Sequence, residues 1–167
     1  MLKAYQRNDI GQIDPFSYII RGRTGFREPE LFEAPLISEI APNHFQGGTI
    51  EGVELPRSFR HVITLFPWKQ YRVRHELDSM TVVKAFDEDV EHLVPILHGL
   101  ATFAGACIAS GPTFLACAGG LNRSGILSAL VLMGQGMTAR EAIQHLRTKR
   151  SPGVLSNPSF RRWLLKQ

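Results

Sequence analysis

Residues 113–125 read Thr113-Phe-Leu-Ala-Cys117-Ala-Gly-Gly-Leu-Asn-Arg123-Ser-Gly125 and join two contrasting patterns. The apolar run before Cys117, with Gly-Pro ahead of it and Gly-Gly soon after, is typical of a short buried strand. The apolar residues that follow, from Ser124 to Gln135, predict a helix that ends at Gly136. A cysteine at a strand end and an arginine at a helix start are thus joined by a loop that contains two glycines.

The composition of this loop is that of an oxyanion-binding site. The glycines permit positive φ, so that successive backbone amides can turn toward one point. The helix that starts near Arg123 directs its free N–H groups and its dipole to the same point. These features also favour the thiolate form of Cys117, whereas an inert buried thiol would leave the glycines and the arginine unexplained. We therefore predict a nucleophilic cysteine beside a phosphoryl site formed by Ala118, Gly119, Gly120, Leu121, Asn122 and Arg123.

The surrounding patterns predict an α/β fold. Strands are predicted at 37–45, at 62–66 and, from strict alternation of apolar and polar residues, at 71–78. Helical spacing runs from about residue 87 to 109 with a kink or break at Pro95. A capping box at Thr138 and an Asn157-Pro158 pair open two further helices. Together these elements predict a central, mostly parallel sheet of about four to five strands flanked by helices.

The chain of 167 residues is 44% hydrophobic and 20% charged, which is ordinary globular composition. Residues 1–37 lack a sustained period and are interpreted as an arm or lid ahead of a domain over 38–167.

We expect a cytoplasmic protein, since there is no apolar segment of about 20 residues and no secretory signal. Two cysteines cannot form a four-thiolate zinc site, so no metal or other cofactor is expected.

The loop resembles the signature of the cysteine-dependent protein tyrosine phosphatases, in particular their dual-specificity branch, whose pattern is His-Cys-x-x-Gly-x-x-Arg-Ser/Thr-Gly. The segment from Glu39 to Gly48 is similar to the first core strand of that branch, and residues 141–160 resemble its C-terminal helices. The resemblance covers roughly residues 37 to 167. It implies a phosphatase-like sheet and a catalytic domain of that type over 38–167.

The resemblance also implies roles for individual residues. Cys117 would attack phosphorus and form a phosphocysteine, Arg123 would bind the transferring group, and the hydroxyl of Ser124 would help the sulfur to leave. Asp78, which ends the predicted strand at 71–78, is taken as the general acid, because sites form at the carboxyl ends of parallel strands. Asp87 and Asp89 are alternatives, interpreted as helix caps. The histidine of the family pattern is Ala116 here, so one hydrogen-bonding group that helps to hold the loop and tune the thiol is absent.

The predicted function is hydrolysis of phosphotyrosine, with phosphoserine and phosphothreonine as further substrates. Two alternatives stay open: a phosphate- or phosphopeptide-binding protein without turnover, and a phosphatase for phosphoinositides, nucleotides or RNA 5′ phosphates. The expected partners are phosphorylated proteins or small phosphomonoesters. Nucleic-acid binding is not favoured, because the C-terminal aromatic residues have the spacing of a helix core. The basic residues at 147–162 either steer acidic partners or are solvated helix faces.

Overall fold

A computed structural model describes residues 13–24 and 30–167 of the chain. Its main sheet has five strands in the order β3-β4-β7-β5-β6, and β1 and β2 form a separate antiparallel pair. The strands are β1 (Ile19–Arg23), β2 (Leu31–Pro35), β3 (Ile37–Ala41), β4 (His44–Gly47), β5 (His61–Thr64), β6 (Ser79–Val82) and β7 (Thr113–Ala116). The helices are α1 (Val94–Ser110), α2 (Arg123–Gly134), α3 (Ala139–Lys149) and α4 (Pro158–Leu164).

Strands β4, β7, β5 and β6 run parallel, and β3 pairs with β4 in the antiparallel sense. The predicted α/β architecture with a mostly parallel sheet is therefore confirmed. All residues of β5 and β7 are buried, which explains why these strands are continuous apolar runs rather than alternating ones. Because side chains alternate across a strand, Ile63 and Leu115 pack under the helices while Val62 and Phe114 pack under the N-terminal part of the chain.

Two strand predictions need correction. The segment at 37–45 is two strands, because the chain reverses at Pro42-Asn43, where Asn43 adopts a φ of 62°. The segment at 71–78 does alternate between half-buried or buried and exposed residues, but its one bridge is between Glu54 and Arg72. Regular pairing with β5 starts only at Ser79. The alternation thus marks an extended chain that lies outside the main sheet, and Asp78 precedes a strand instead of ending one.

The helix predictions agree with the structure. Pro95 marks a break, since a single 3₁₀ turn at Val90–His92 precedes α1 and the proline lies in the first turn of α1. The capping box between Thr138 and Glu141 opens α3. Asn157 caps α4, with its side chain accepting a hydrogen bond from the amide of Ser159. In the described part of the chain no helix is long and apolar enough to cross a membrane.

The predicted N-terminal arm is in part an ordered hairpin. Strands β1 and β2 pair from Ile19–Pro35 to Arg23–Leu31, and Ile20, Ala34 and Leu36 are buried in the same cluster as Phe114 of β7. Residues 1–12 and 25–29, which the arm also includes, lie outside the described residues. A separate unit over 1–37 with a gating role stays a prediction.

The capping box gives a direct test of how α3 is stabilised. Replacing Thr138 by Ala removes the side chain that accepts from the amide of Glu141 and donates to its carboxylate. We expect Thr138→Ala to lower the free energy of unfolding by about 1 kcal/mol in urea denaturation. Thr148→Ala is the matched control, because Thr148 bonds only the carbonyl of Gln144 within the same helix. An equal loss in both variants would contradict the capping role.

Candidate active site

Cys117 is the first residue after β7 and lies at the carboxyl edge of the sheet. Its amide donates to the carbonyl of Gly47 over 3.2 Å, which extends the contact between β7 and β4 by one residue. The residue is buried, with 2% of its surface exposed, so it forms the floor of the loop. Its Sγ lies 3.3 Å from Oγ of Ser124 in the first turn of α2. The structure thus brings together two of the predicted site residues.

Five consecutive carbonyls of the loop are held by hydrogen bonds from outside it. The donors are two groups of Thr49, two nitrogens of Arg150, the side-chain amide of Gln46 and the backbone amide of Leu155. The bonds are Thr49 Oγ1 to Cys117 O (3.2 Å), Thr49 N to Ala118 O (3.0 Å), Arg150 Nη2 to Gly119 O (3.0 Å), Arg150 Nε to Gly120 O (2.6 Å), Gln46 Nε2 to Gly120 O (2.9 Å) and Leu155 N to Leu121 O (3.3 Å).

The direction of these carbonyls determines the direction of the loop amides. A trans peptide unit is planar, so the N–H of each residue points opposite to the carbonyl before it. The amides of residues 118–122 therefore point to the inner side of the loop. Within residues 13–24 and 30–167 none of these amides donates a hydrogen bond to another group of the chain. A series of inward amides is an anion-binding concavity.

Gly120 is the position in the loop where only glycine fits. Its φ is 67°, in the left-handed region that side chains disfavour. A Cβ built there would lie 2.2 Å from the carbonyl carbon of Gly47 and 2.5 Å from Nη2 of Arg150. The loop therefore packs against the end of β4 through bare backbone.

Arg123, the first residue of α2, is buried with 8% exposed. One terminal nitrogen donates to the carbonyl of Ala85 over 3.0 Å, and the guanidinium carbon lies 5.1 Å from the centre of the Phe66 ring. These contacts fix the plane of the guanidinium. Its Nε is buried and has no acceptor among the described groups. A buried donor without a partner is rare in proteins, and here it belongs to the residue predicted to bind a phosphoryl group.

Asn122 connects the loop to a carboxylate. Its Nδ2 donates to Oδ2 of Asp87 over 3.0 Å, and its Oδ1 accepts from the amide of Asn157 over 3.0 Å and from Oγ of Ser156 over 3.3 Å. The other carboxylate oxygen of Asp87 accepts from Nδ2 of Asn157 over 2.9 Å. Asp87 follows β6 on the chain and so lies at the carboxyl edge of the sheet. Among the described residues, Asp87 is the one acidic residue whose side chain is hydrogen-bonded to the loop.

Asp78, predicted as the general acid, lies at the opposite edge. Its amide donates to the carbonyl of Arg60 over 2.8 Å, and its carboxylate pairs with the Arg60 guanidinium. Extended by one residue, the strand registers place Asp78 level with Arg60, just before β5, and Cys117 level with Leu65, just after β5. At about 3.3 Å per residue the two are separated by about 16 Å along the strands. The structure does not bring Asp78 to the loop, because the strand pairing starts one residue after it.

Sequence reasoning missed the groups that hold the loop from behind, namely Thr49, Gln46 and Arg150. Arg150 was grouped with the basic residues at 147–162, but it is 5% exposed and not a solvated side chain. No local pattern distinguishes it from Arg147 or Arg161. Asp87 could have been favoured, because it is the acidic residue nearest to the carboxyl end of β6, but that signal depends on the correct position of the strand.

Two other features bear on the predicted chemistry. Ala116 ends β7 and is 1% exposed, so no side-chain hydrogen bond supports the loop from this position. Cys107 lies near the end of α1, with Sγ 3.8 Å from Oγ of Ser79, at the edge of the sheet opposite Cys117. In the described ranges no group of three or more His, Cys, Asp or Glu side chains is arranged to hold a metal ion.

Solved structures of dual-specificity phosphatases have a fold similar to that of this chain. A mouse putative dual specificity phosphatase complexed with zinc tungstate matches with a TM-score of 0.68 and 21% identity, covering 79% of this chain and 86% of that one. Human DUSP28 matches with a TM-score of 0.66 and 20% identity over 79% and 92% of the two chains. No family model and no curated protein matches the sequence.

A further structural match is the human tyrosine phosphatase-like serine/threonine/tyrosine-interacting protein, with a TM-score of 0.64 and 19% identity. The match covers 78% of this chain and 93% of that one. The likeness of all three structures is one of fold. The phosphatase-like architecture expected from the signature loop is therefore confirmed.

The fit of the loop against β4 predicts a high cost for any side chain at Gly120. We expect Gly120→Ala to lower the free energy of unfolding by about 2–4 kcal/mol, from backbone strain and the contact with Gly47. Gly99→Ala is the control, because Gly99 lies in α1 with nothing within 4 Å of an added Cβ. That variant should be neutral or stabilised by up to about 1 kcal/mol. Chemical denaturation of both variants measures the difference, and similar values would contradict the close packing.

Proposed function

We propose that the chain hydrolyses phosphate monoesters, phosphotyrosine foremost, through a phosphocysteine intermediate. The observation that carries this proposal is the set of unused donors around Cys117: the inward amides of residues 118–122 and the buried Nε of Arg123. A tetrahedral oxyanion would satisfy all of them at once. Tungstate, present in the mouse phosphatase structure of similar fold, is an anion of this shape.

In the first chemical step the Cys117 thiolate attacks phosphorus. The S–P bond forms, the bond from phosphorus to the ester oxygen breaks, and the amides and Arg123 hold the charge on the remaining oxygens. Asp87 gives its proton to the departing oxygen, which matters most for a poor leaving group such as an alkoxide. Asp87 is assigned this role because Asn122 ties its carboxylate to the loop.

In the second step water attacks the phosphocysteine. Asp87 takes a proton from the water, the new O–P bond forms, and the S–P bond breaks to give back the thiolate and inorganic phosphate. Ser124 donates a hydrogen bond to the departing sulfur across the 3.3 Å contact. Both steps use the same oxyanion cradle, and the protons balance over the cycle.

A row of aromatic side chains supports phosphotyrosine as the first substrate. Phe66, under Arg123, contacts Trp68 with ring centres 5.1 Å apart, and Trp68 contacts Phe86 at 5.6 Å. Trp68 is 50% exposed and Phe86 is 43% exposed, and Phe86 adjoins Asp87. An apolar wall beside the phosphoryl site favours an aryl ester over an alkyl one through contact with the ring. Phosphoserine and phosphothreonine proteins and small phosphomonoesters are weaker substrates in this proposal.

The second candidate is a phosphate-binding protein without turnover. It is motivated by Ala116, which replaces the histidine of the signature pattern, and one structural neighbour is described as a phosphatase-like interacting protein. The two candidates differ in one measurement, release of phosphate from an ester.

The cytoplasm remains the proposed location, since Cys107 and Cys117 are both free thiols and a thiolate nucleophile needs a reducing environment.

Replacing the proposed nucleophile tests the reaction directly. We expect Cys117→Ser to reduce turnover of an aryl phosphate by at least about 10⁴-fold, because the hydroxyl is not ionised near neutral pH. Inorganic phosphate should still bind to the variant, since the amides and Arg123 are unchanged. A wild-type protein that binds phosphate but releases none from any ester would instead favour the second candidate.

The assignment of the acid is tested with a matched pair of aspartates. Asp87→Asn should slow hydrolysis of an alkyl phosphate by about 10²–10⁴-fold and of an activated aryl phosphate much less, because only the poor leaving group needs the proton. Asp78→Asn should leave both rates within about twofold, since Asp78 pairs with Arg60 at the far edge of the sheet. The comparison requires kcat for both substrates with each variant. A leaving-group effect in Asp78→Asn alone would reverse the assignment.

A further inference from the structure

Arg150 holds the back of the loop and joins it to residues of the preceding strands. It is 5% exposed and is the residue directly after α3. All three nitrogens donate, and five acceptors surround them: Gly120 O (2.6 Å), Gly119 O (3.0 Å), Pro35 O (2.8 Å), Ser38 Oγ (3.0 Å) and Gln46 O (3.2 Å). Arg123 by contrast keeps its Nε free on the side of the loop where the amides converge. The two arginines thus lie on opposite sides of one loop with different tasks.

None of the five acceptors of Arg150 carries a charge. A buried cation without a carboxylate partner is costly, so its presence points to a negative charge that forms nearby. Burial lowers the pKa of Arg150 to about 10, and two nearby acidic groups, Cys117 first and Tyr71 second, would raise it when ionised. Burial also raises the pKa of Tyr71 far above its usual value, so the phenol stays neutral. Cys117 is therefore the nearby group that can supply a counter-charge when its thiol ionises.

The residue just before Cys117 has no side chain that could help to stabilise a thiolate, so the positive charge of Arg150 matters more. Ala116 offers no polar side-chain atom to the loop. We propose that Arg150 is a positioning residue that replaces such support: it holds the carbonyls of Gly119 and Gly120 away from the cradle and supplies the buried positive charge that stabilises the Cys117 thiolate. The proposal rests on Cys117 as nucleophile, but it concerns the ionisation of the thiol and can be measured without turnover.

The measurement is the rate of alkylation of Cys117 by iodoacetamide from about pH 5 to about pH 9, because only the thiolate reacts. Charged and titratable groups on the elements packed around the loop include Asp87, Arg123, Tyr71 and His44, and α3 adds His145 and Arg147. His44 is neutral throughout this range, since burial lowers its pKa to about 4. Cys107 is replaced by Ser in every protein compared, so that one thiol is read. Folding of each variant is checked by circular dichroism.

Two substitutions separate charge from geometry. Arg150→Met removes both, and we expect alkylation at about pH 6 to slow by at least about tenfold, a shift of one pH unit or more in the profile. Arg150→Lys keeps the charge but not the planar fork, so its profile should stay within about threefold of wild type. The concentration of inorganic phosphate that protects Cys117 from alkylation should rise by about tenfold or more in Arg150→Lys, because the loop carbonyls are no longer held in pairs.

Arg140→Met is the matched control. Arg140 lies in the first turn of α3 with an exposed side chain, so both readouts should equal wild type. A folded Arg150→Met with the wild-type profile would overturn the charge role. If Arg150→Lys needs no more phosphate than wild type to protect Cys117, the positioning role is overturned. This second test does not depend on whether Arg150→Met folds. If phosphate protects no variant, wild type included, the proposed function fails while the alkylation profiles still decide the role of the charge.

Discussion

The outward attachment of five loop carbonyls is the constraint on which the site depends. Backbone amides can converge on one point only if the carbonyls of the same peptide units have partners elsewhere, because a buried carbonyl without a partner is costly. Thr49, Gln46, Arg150 and Leu155 supply those partners. The inner surface of the loop is therefore positive in potential before any ligand arrives. Such preorganisation is what catalysis of phosphoryl transfer requires, since the donors need not reorient during the reaction.

The register of the parallel strands decides which chemical groups share an edge with this loop. Strands β4, β7, β5 and β6 end at one level, at Gly47, Ala116, Thr64 and Val82. The segments that leave this edge carry Thr49, Cys117, Phe66 and Asp87. The segments that enter the opposite edge carry Asp78 and His61, which interact with Arg60 and Ser110 instead. The groups of the proposed site thus share one edge, in line with the position of sites in parallel sheets.

The part of the site that sequence could predict is the part determined by neighbours in the chain. The segment at 113–125 contains the strand, the turn glycines, the arginine and the helix start, so local rules are sufficient there. The predicted position of Asp78 at the end of a strand is wrong, because alternation identifies an extended segment but not where its pairing starts. Arg150 could not be found because its burial depends on Pro35, Ser38 and Gln46, more than 100 residues earlier in the chain. An arginine in a basic, helical segment is most often solvated.

The cap of the last helix also takes part in the site. Asn157 caps α4 through its Oδ1, while its Nδ2 donates to Asp87 and to the carbonyl of Glu88 and its amide donates to Asn122. One residue therefore fixes a helix start, the segment after β6 and the loop after β7. Because these bonds belong to a single residue, a shift of α4 would move the Asp87 carboxylate relative to Cys117. The position of the proposed acid is accordingly set from the C-terminal end of the chain, and not by β6 alone.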